Sequence, residues 1–359
     1  MLIIINMDAL LTNKKIDIVD FDGLKLFMFK NDNLYNNFIP RQRKNQSLDK
    51  YFKSVSKDHK YPPSLISYDN CEENDNPRNG LFIYFKHLID HNIDFTVFDI
   101  GSHVGDFAIK CGHFFRDASK KRKVISFDPS PAGMLVPFNI AINGLQEYNK
   151  HEKLAVTEYD GYYIFNFTEG NSDSSKLSFS KEAKFWEKIK FYWGSSLWFK
   201  VTTAFRLLTS FFKIRKKTFD IIVQGISFQN YLNKNGINNN LFLKIDVEGY
   251  DEILVKSIVP LKENRLISFI TELHVDADSL TFLNELSEHF YIFDLFYCPN
   301  PTRFKHIKPQ DFVSFIGQDL KNRKFGYTDL FLLDKKTPEV DRLINKLSSL
   351  KETKGEMVL

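Results

Sequence analysis

Cysteine is scarce in this sequence. The three present, Cys71, Cys111 and Cys298, lie far apart, with no Cys-x-x-Cys spacing and no adjoining Cys/His cluster. That excludes a disulfide framework and the usual zinc sites, and it fits a reducing, cytoplasmic setting. Long hydrophobic runs are also missing. No uncharged apolar stretch approaches the roughly 18 to 20 residues that cross a bilayer, so a spanning helix is not expected. The opening MLIIINMDALLTNKK has no basic residue before its apolar run and no small-residue cleavage site, so it does not read as a secretory signal. Excess charge is small, 49 Lys and Arg against 45 Asp and Glu, but it is unevenly spread. Residues 181–217 carry ten basic and two acidic residues, a local balance of +8 that leaves −4 for the rest.

A hydrophobic content of 43% and a charged content of 26% are ordinary for a soluble globular chain and point to a sizeable core. Residues 1–92 read as a small N-terminal portion. It has short apolar runs (IDIVDF, LKLFMF), Asn- and Lys-rich loops, and a closing helix around GLFIYFKHLIDH. From residue 93 strands and helices alternate. FTVFDIG, KVISFDP and EKLAVTE read as successive strands, with helices over VGDFAIKCGHFFRDA and PAGMLVPFNIAING, the latter broken at Pro137. DGYYIFNF reads as a further β segment. Beyond the basic segment come the strand NNLFLKIDVEG, a helix through YDEILVKSIVPL, the strand LISFITELH, a helix, and the strands YIFDLFYC and GYTDLFLLDK. This alternation predicts a doubly wound α/β fold with a mostly parallel sheet over 93–335. The tail, 336–359, reads as a surface helix.

In such sheets ligands bind beyond the carboxyl ends of the strands, where strand order reverses. VFDIGSHVGDFAI, residues 97–109, sits at such an end. Gly101 and Gly105 permit a tight turn and close approach of a ligand, with Ser102 and His103 between them, and the following helix offers unpaired N–H groups. Asp99 selects among ligands. A dinucleotide would bring pyrophosphate here, where a carboxylate is unwelcome, and its spacing is G-x-G-x-x-G. D-x-G-x-x-x-G instead suits a ligand without phosphate that carries positive charge, such as S-adenosylmethionine. Asp128, before Pro129, closes the next strand 23 residues after Gly105, where a carboxylate can accept from both ribose hydroxyls. The bland alternative is an ordinary βα turn with solvent-facing acids.

The order of VFDIGSHVGDFAI, VISFDPSP, LAVTEYDGYYIFNF, LFLKIDVEGYDEILVKS and ISFITELH resembles the FkbM-type methyltransferases, within the class I S-adenosylmethionine-dependent superfamily. The resemblance runs from about residue 95 to 335, and KIDVEGYD followed by TELH is its specific part. It implies a seven-stranded Rossmann-like methyltransferase sheet with a helical insertion. It also implies that cofactor binding falls to Asp99, Gly101, Ser102, His103, Gly105, Asp128 and Pro129. Four positions depart from the family's usual residues: His103 for Asn, Asp128 and Asp251 for Glu, and Gln229 for Asp.

Catalytic candidates stand at two strand ends. Asp246 and Glu248 flank one, Glu272 and His274 the other, and residues i and i+2 of a strand share a face. In the class I fold the KIDVEG strand neighbours the glycine-turn strand and FITELH lies next outward, which would gather three acids and a histidine near the methyl group. Several roles stay open. Asp246 could contact cofactor or acceptor, or act as base. Glu248 could cap the next helix, and His274 could be the base or an ordinary polar residue. Clustered carboxylates could hold Mg²⁺, but the spacing does not demand it and no metal is assigned. Residues 177–222 form a basic, aromatic insertion that contains Trp186, Trp193 and Trp198. A lid over the acceptor or packing against the N-terminal portion is preferred, with peripheral membrane contact through 181–217 the second reading. A nucleic-acid partner is disfavoured. The resulting expectation is an S-adenosylmethionine-dependent O-methyltransferase acting on a small-molecule or glycan acceptor. A sugar hydroxyl is favoured by the resemblance alone. The alternatives are an NAD(P)-dependent oxidoreductase and a non-enzymatic membrane-associated module.

Overall fold

The computed structural model describes residues 16–21, 24–29, 80–118, 122–168, 176–178, 218–247, 249–274, 278–295, 304–320 and 327–349. In chain order these form a hairpin of β1 (Ile16–Phe21) and β2 (Leu24–Phe29), then helix α1 (Gly80–Asp90). There follow β3 (Phe95–Ile100), α2 (Asp106–Asp117), β4 (Lys123–Phe127), α3 (Val136–Ile142), β5 (Asn149–Glu152) and β6 (Ala155–Thr157). Next are β7 (Gly161–Thr168), β8 (Lys176–Ser178), β9 (Thr218–Ser227), α4 (Phe228–Asn235), β10 (Asn240–Ile245) and α5 (Asp251–Ile258). The chain ends with β11 (Ile267–His274), α6 (Ser279–His289), β12 (Phe290–Asp294), β13 (Lys305–Ile307), β14 (Tyr327–Asp334) and α7 (Val340–Ser348).

The main sheet has the order β13-β12-β14-β11-β10-β3-β4-β5. From β11 to β5 every pairing is parallel, while β14 runs antiparallel to both β11 and β12. The chain starts at β3, moves outward through β4 to β5, and returns to β10 on the other side of β3. Strand order therefore reverses between β3 and β10.

Central strands covered on both faces need near-continuous apolar sequence. All six residues of β3 are buried. One face packs Phe95, Val97, Phe242, Ile270 and Phe331 against residues of α1, α2 and α7. The other packs Phe98, Ile100, Leu243, Phe269 and Leu332 against α4, α5 and α6. Phe85 of α1 shows how tightly the first face is filled: its ring stacks on Phe95 at 5.6 Å and meets Phe242 edge-on at 4.9 Å. Truncating such a ring to alanine costs about 3–5 kcal/mol. The tail helix shares this core through Leu343 and Leu347. The hairpin β1–β2 lies against α3, pinned by Asn139. That side chain accepts from Phe27 N at 2.6 Å and donates to Val104 O at 2.9 Å.

Three expectations need correction. The sheet has eight described strands rather than seven, because β13 adds an antiparallel edge beyond β12. The third strand outward is the polar Asn149–Glu152. The more apolar Ala155–Thr157 leaves the sheet and pairs with β9 in a separate sheet of order β6-β9-β7-β8. Polar side chains of this strand are taken up by the fold: Asn149 Nδ2 donates to Ala108 O at 2.6 Å, and Glu152 Oε1 accepts from Tyr231 OH at 2.9 Å. Pro137 does not break a helix but opens one, at the changeover from a 3₁₀ turn (Ala132–Leu135) to α3, where its missing N–H costs nothing.

Candidate functional site

The turn after β3 is stitched to the end of β4. Phe127 O accepts from both Gly101 N and Ser102 N at 3.0 Å, and Gly105 N donates to Ser102 O at 2.7 Å. The Asp128 carboxylate takes two further backbone donors, His103 N on Oδ2 and Ser130 N on Oδ1, each at 2.7 Å. A carboxylate has about four lone-pair sites, so both oxygens retain acceptor capacity. Gly101 has φ +81, and a Cβ there would lie 1.8 Å from Asp246 O, so the turn passes directly against the chain leaving β10. His103 also has a left-handed backbone, φ 50, which Asn and His tolerate better than most residues.

Asp99 lies under this turn and is fully buried. Its Oδ2 accepts from Ala108 N at 3.2 Å, in the first turn of α2, whose N-cap Gly105 has no side chain to do so. Its Oδ1 has no hydrogen bond. Burial pushes the Asp99 carboxyl up to about 7, against the opposing pull of Lys244. Ser102 Oγ, 3% exposed as a residue, is a second buried polar atom at the turn without a partner.

Across the switch point, Asp246 follows β10 and Glu272 stands near the end of β11. Ile245 and Thr271 are register partners, so the residues after them, Asp246 and Glu272, sit at matching levels. Asp329 of β14 is the direct cross-strand partner of Glu272. Burial, then the charges of Asp246 and Glu272, push the Asp329 carboxyl up to about 7. Asp251 at the start of α5 is 3% exposed and reaches back to accept from Val247 N at 3.2 Å and Gly249 N at 3.1 Å. Its carboxyl is likewise raised to about 7, by burial and then Asp246. Val247 and Gly249 are thus tied through their backbone N–H groups to the helix that follows them.

The methyltransferase FkbM domain model matches residues 99–288, more than half of the chain. The chain belongs to the FkbM methyltransferase family. No curated protein and no solved structure matches it.

The FkbM match begins at Asp99 and spans the glycine turn, Asp128, Asp246 and Glu272. The structure brings Asp99, Gly101, Ser102, His103, Gly105, Asp128 and Pro129 together around one turn, with Asp246 against it. His274 is the last residue of β11, paired in register with Tyr327, and its side chain lies outside the described set. Glu248 lies outside the described residues, as do residues 179–217 with all three tryptophans of the insertion. Gln229 falls in the first turn of α4, exposed, donating to Asn233 Oδ1 at 2.9 Å. Among the described residues no three or more His, Cys, Asp or Glu side chains converge to hold a metal ion, and no helix is long and apolar enough to cross a membrane.

Sequence reasoning missed two charged residues of this site, Lys244 and Asp329. Lys244 is the one charge in the strand NLFLKI, and Asp329 is a charge just before the apolar run LFLL of YTDLFLLD; those interruptions were the available signal.

Proposed function

We propose that this FkbM methyltransferase uses S-adenosylmethionine to methylate a hydroxyl group, and that the acceptor is a sugar hydroxyl of a glycan or glycolipid. The observation that carries the cofactor reading is the glycine turn at the β3–β10 switch point, closed by Asp128 and lined by Asp246. The fit is chemical as well as spatial. The glycine turn packs backbone to backbone against the chain leaving β10, which fixes its shape at the switch point. Asp128 retains lone pairs for ribose hydroxyls, and the acids at the strand ends suit a cationic ligand better than a pyrophosphate. When bound, S-adenosylmethionine supplies an electrophilic methyl group.

The chain's own task is alignment and proton removal. Asp246, half exposed, and Glu272 flank the space beyond the β10 and β11 ends, where carboxylates can accept hydrogen bonds from acceptor hydroxyls. Either of these, or His274, can receive the hydroxyl proton as the new bond forms. The sugar preference draws on the family resemblance rather than on the geometry. The test is transfer of tritiated methyl from S-adenosylmethionine to a panel of methyl hexosides. Alkali-stable label in the sugar fraction supports the proposal. Alkali-labile ester label, or no label in any sugar, would overturn the O-methyl sugar reading.

A further inference from the structure

Lys244 is the unusual residue of the sheet interior. Strand alternation puts it on the same face as Phe242, between β3 and β11, with a side chain only 13% exposed. A lysine taken out of water there is costly unless it is paired. Two carboxylates from different parts of the site pair with it. Asp246 Oδ2 lies 2.9 Å from Nζ, and Asp99 Oδ1 lies 3.8 Å away, Asp99 being the register partner of Lys244 across the parallel ladder. The ammonium also lies 5.9 Å from the Phe107 ring centre in α2. Burial works against its charge most strongly, but Asp246 and Asp99 outweigh it and hold the amine protonated.

The two acids differ in a way that gives the lysine a task. Asp99 is sealed in, with one oxygen on the first turn of α2 and the other 3.8 Å from Lys244 Nζ, without a hydrogen bond among the described residues. Asp246 is 48% exposed, and its backbone carbonyl touches the glycine turn. Without a partner, an exposed aspartate samples several rotamers. With Lys244 on Oδ2 it is held in one, and among the described residues no hydrogen bond occupies Oδ1. Lys244 therefore links the acid that anchors the turn to the acid that lines it.

We infer that Lys244 is a positioning residue of the methyltransferase site, fixing the Asp246 carboxylate beside the glycine turn while supplying the counter-charge for Asp99. This rests on the cofactor reading above and deepens it. The lysine itself touches neither cofactor nor acceptor in this account; it acts through Asp246.

The experiment is calorimetric titration of the full chain with S-adenosylhomocysteine, which needs no knowledge of the acceptor. Lys244→Met should raise the Kd at least tenfold, and Lys244→Arg should stay within about threefold of wild type. In an Asp246→Asn background, Lys244→Met should add less than about threefold, because the group it positions is already gone. Equal losses in both backgrounds, or a folded Lys244→Met with wild-type affinity, would overturn the inference. If Lys244→Met does not fold, Lys244→Met combined with Asp99→Asn removes the stranded charge, and the same thresholds apply with Asp99→Asn alone as the reference. Wild-type protein that fails to bind S-adenosylhomocysteine at all would instead remove the cofactor reading, an outcome distinct from insensitivity to the lysine.

Discussion

Replacing Gly101 with alanine tests whether the turn is as tightly built as its geometry requires. Two costs arise. The backbone sits at φ +81, where an L-residue with a Cβ costs about 1–2 kcal/mol. The added carbon would also lie 1.8 Å from Asp246 O and 2.8 Å from its carbonyl carbon, and neither is the movable end of a side chain. Relief requires the end of β3 to move from the chain leaving β10, an overpacking cost of about 1–3 kcal/mol. The total loss should be about 2–5 kcal/mol. Gly236 supplies the control, since it has φ +62 with nothing within 4 Å of its Cβ position, so Gly236→Ala should show the backbone cost alone. Urea unfolding of the two variants isolates the contact with Asp246. S-adenosylhomocysteine titration should show that Gly101→Ala loses binding and Gly236→Ala keeps it. Equal destabilisation by the two substitutions, with binding intact in both, would refute the packing argument.

Asp128→Ala should destabilise the protein by about 1.5–3 kcal/mol, because the carboxylate serves two backbone donors, and it should also weaken S-adenosylhomocysteine binding; unchanged affinity would remove Asp128 from the ribose site. Stability should depend on pH in a set direction. Asp99, Asp251 and Asp329 have folded-state values of about 7, above an unfolded value of about 3.9. The folded protein therefore holds protons that the unfolded chain has released, and stability should fall as pH rises from about 4 through 7. Asp329→Asn should flatten that slope in unfolding titrations; an unchanged slope would show that Asp329 is ionised throughout.

The parts of the fold written in local pattern were legible. The run from β3 into α2 follows from an apolar strand, an Asp-x-Gly turn and helical spacing, all within about twenty residues. β10 and β11 were likewise identified, and the placement of β10 beside β3 with β11 next outward followed from the class I resemblance. What failed depends on partners distant in sequence. Asn149–Glu152 carries no apolar run, and only its pairing with β4 makes it a strand. β9 was not anticipated, and its partners β6 and β7 both lie on the far side of the basic segment 181–217 in the chain. Asp329 enters the site because β14 inserts antiparallel between β11 and β12, which sets it opposite Glu272. Lys244 and Asp99 meet across a ladder that no local pattern encodes. Even Asp99, singled out as a cofactor-binding candidate, has a structural role visible only in three dimensions: it accepts from Ala108 N in the first turn of α2, from below the turn.

The central claim is that the glycine turn beside Asp128 and Asp246 holds an S-adenosylmethionine-type ligand rather than a dinucleotide. Calorimetric titration of the wild-type chain with S-adenosylhomocysteine and, separately, with NAD tests it most directly. Saturable binding of S-adenosylhomocysteine at one site per chain, with no heat from NAD, is the predicted result. NAD binding without S-adenosylhomocysteine binding would contradict it.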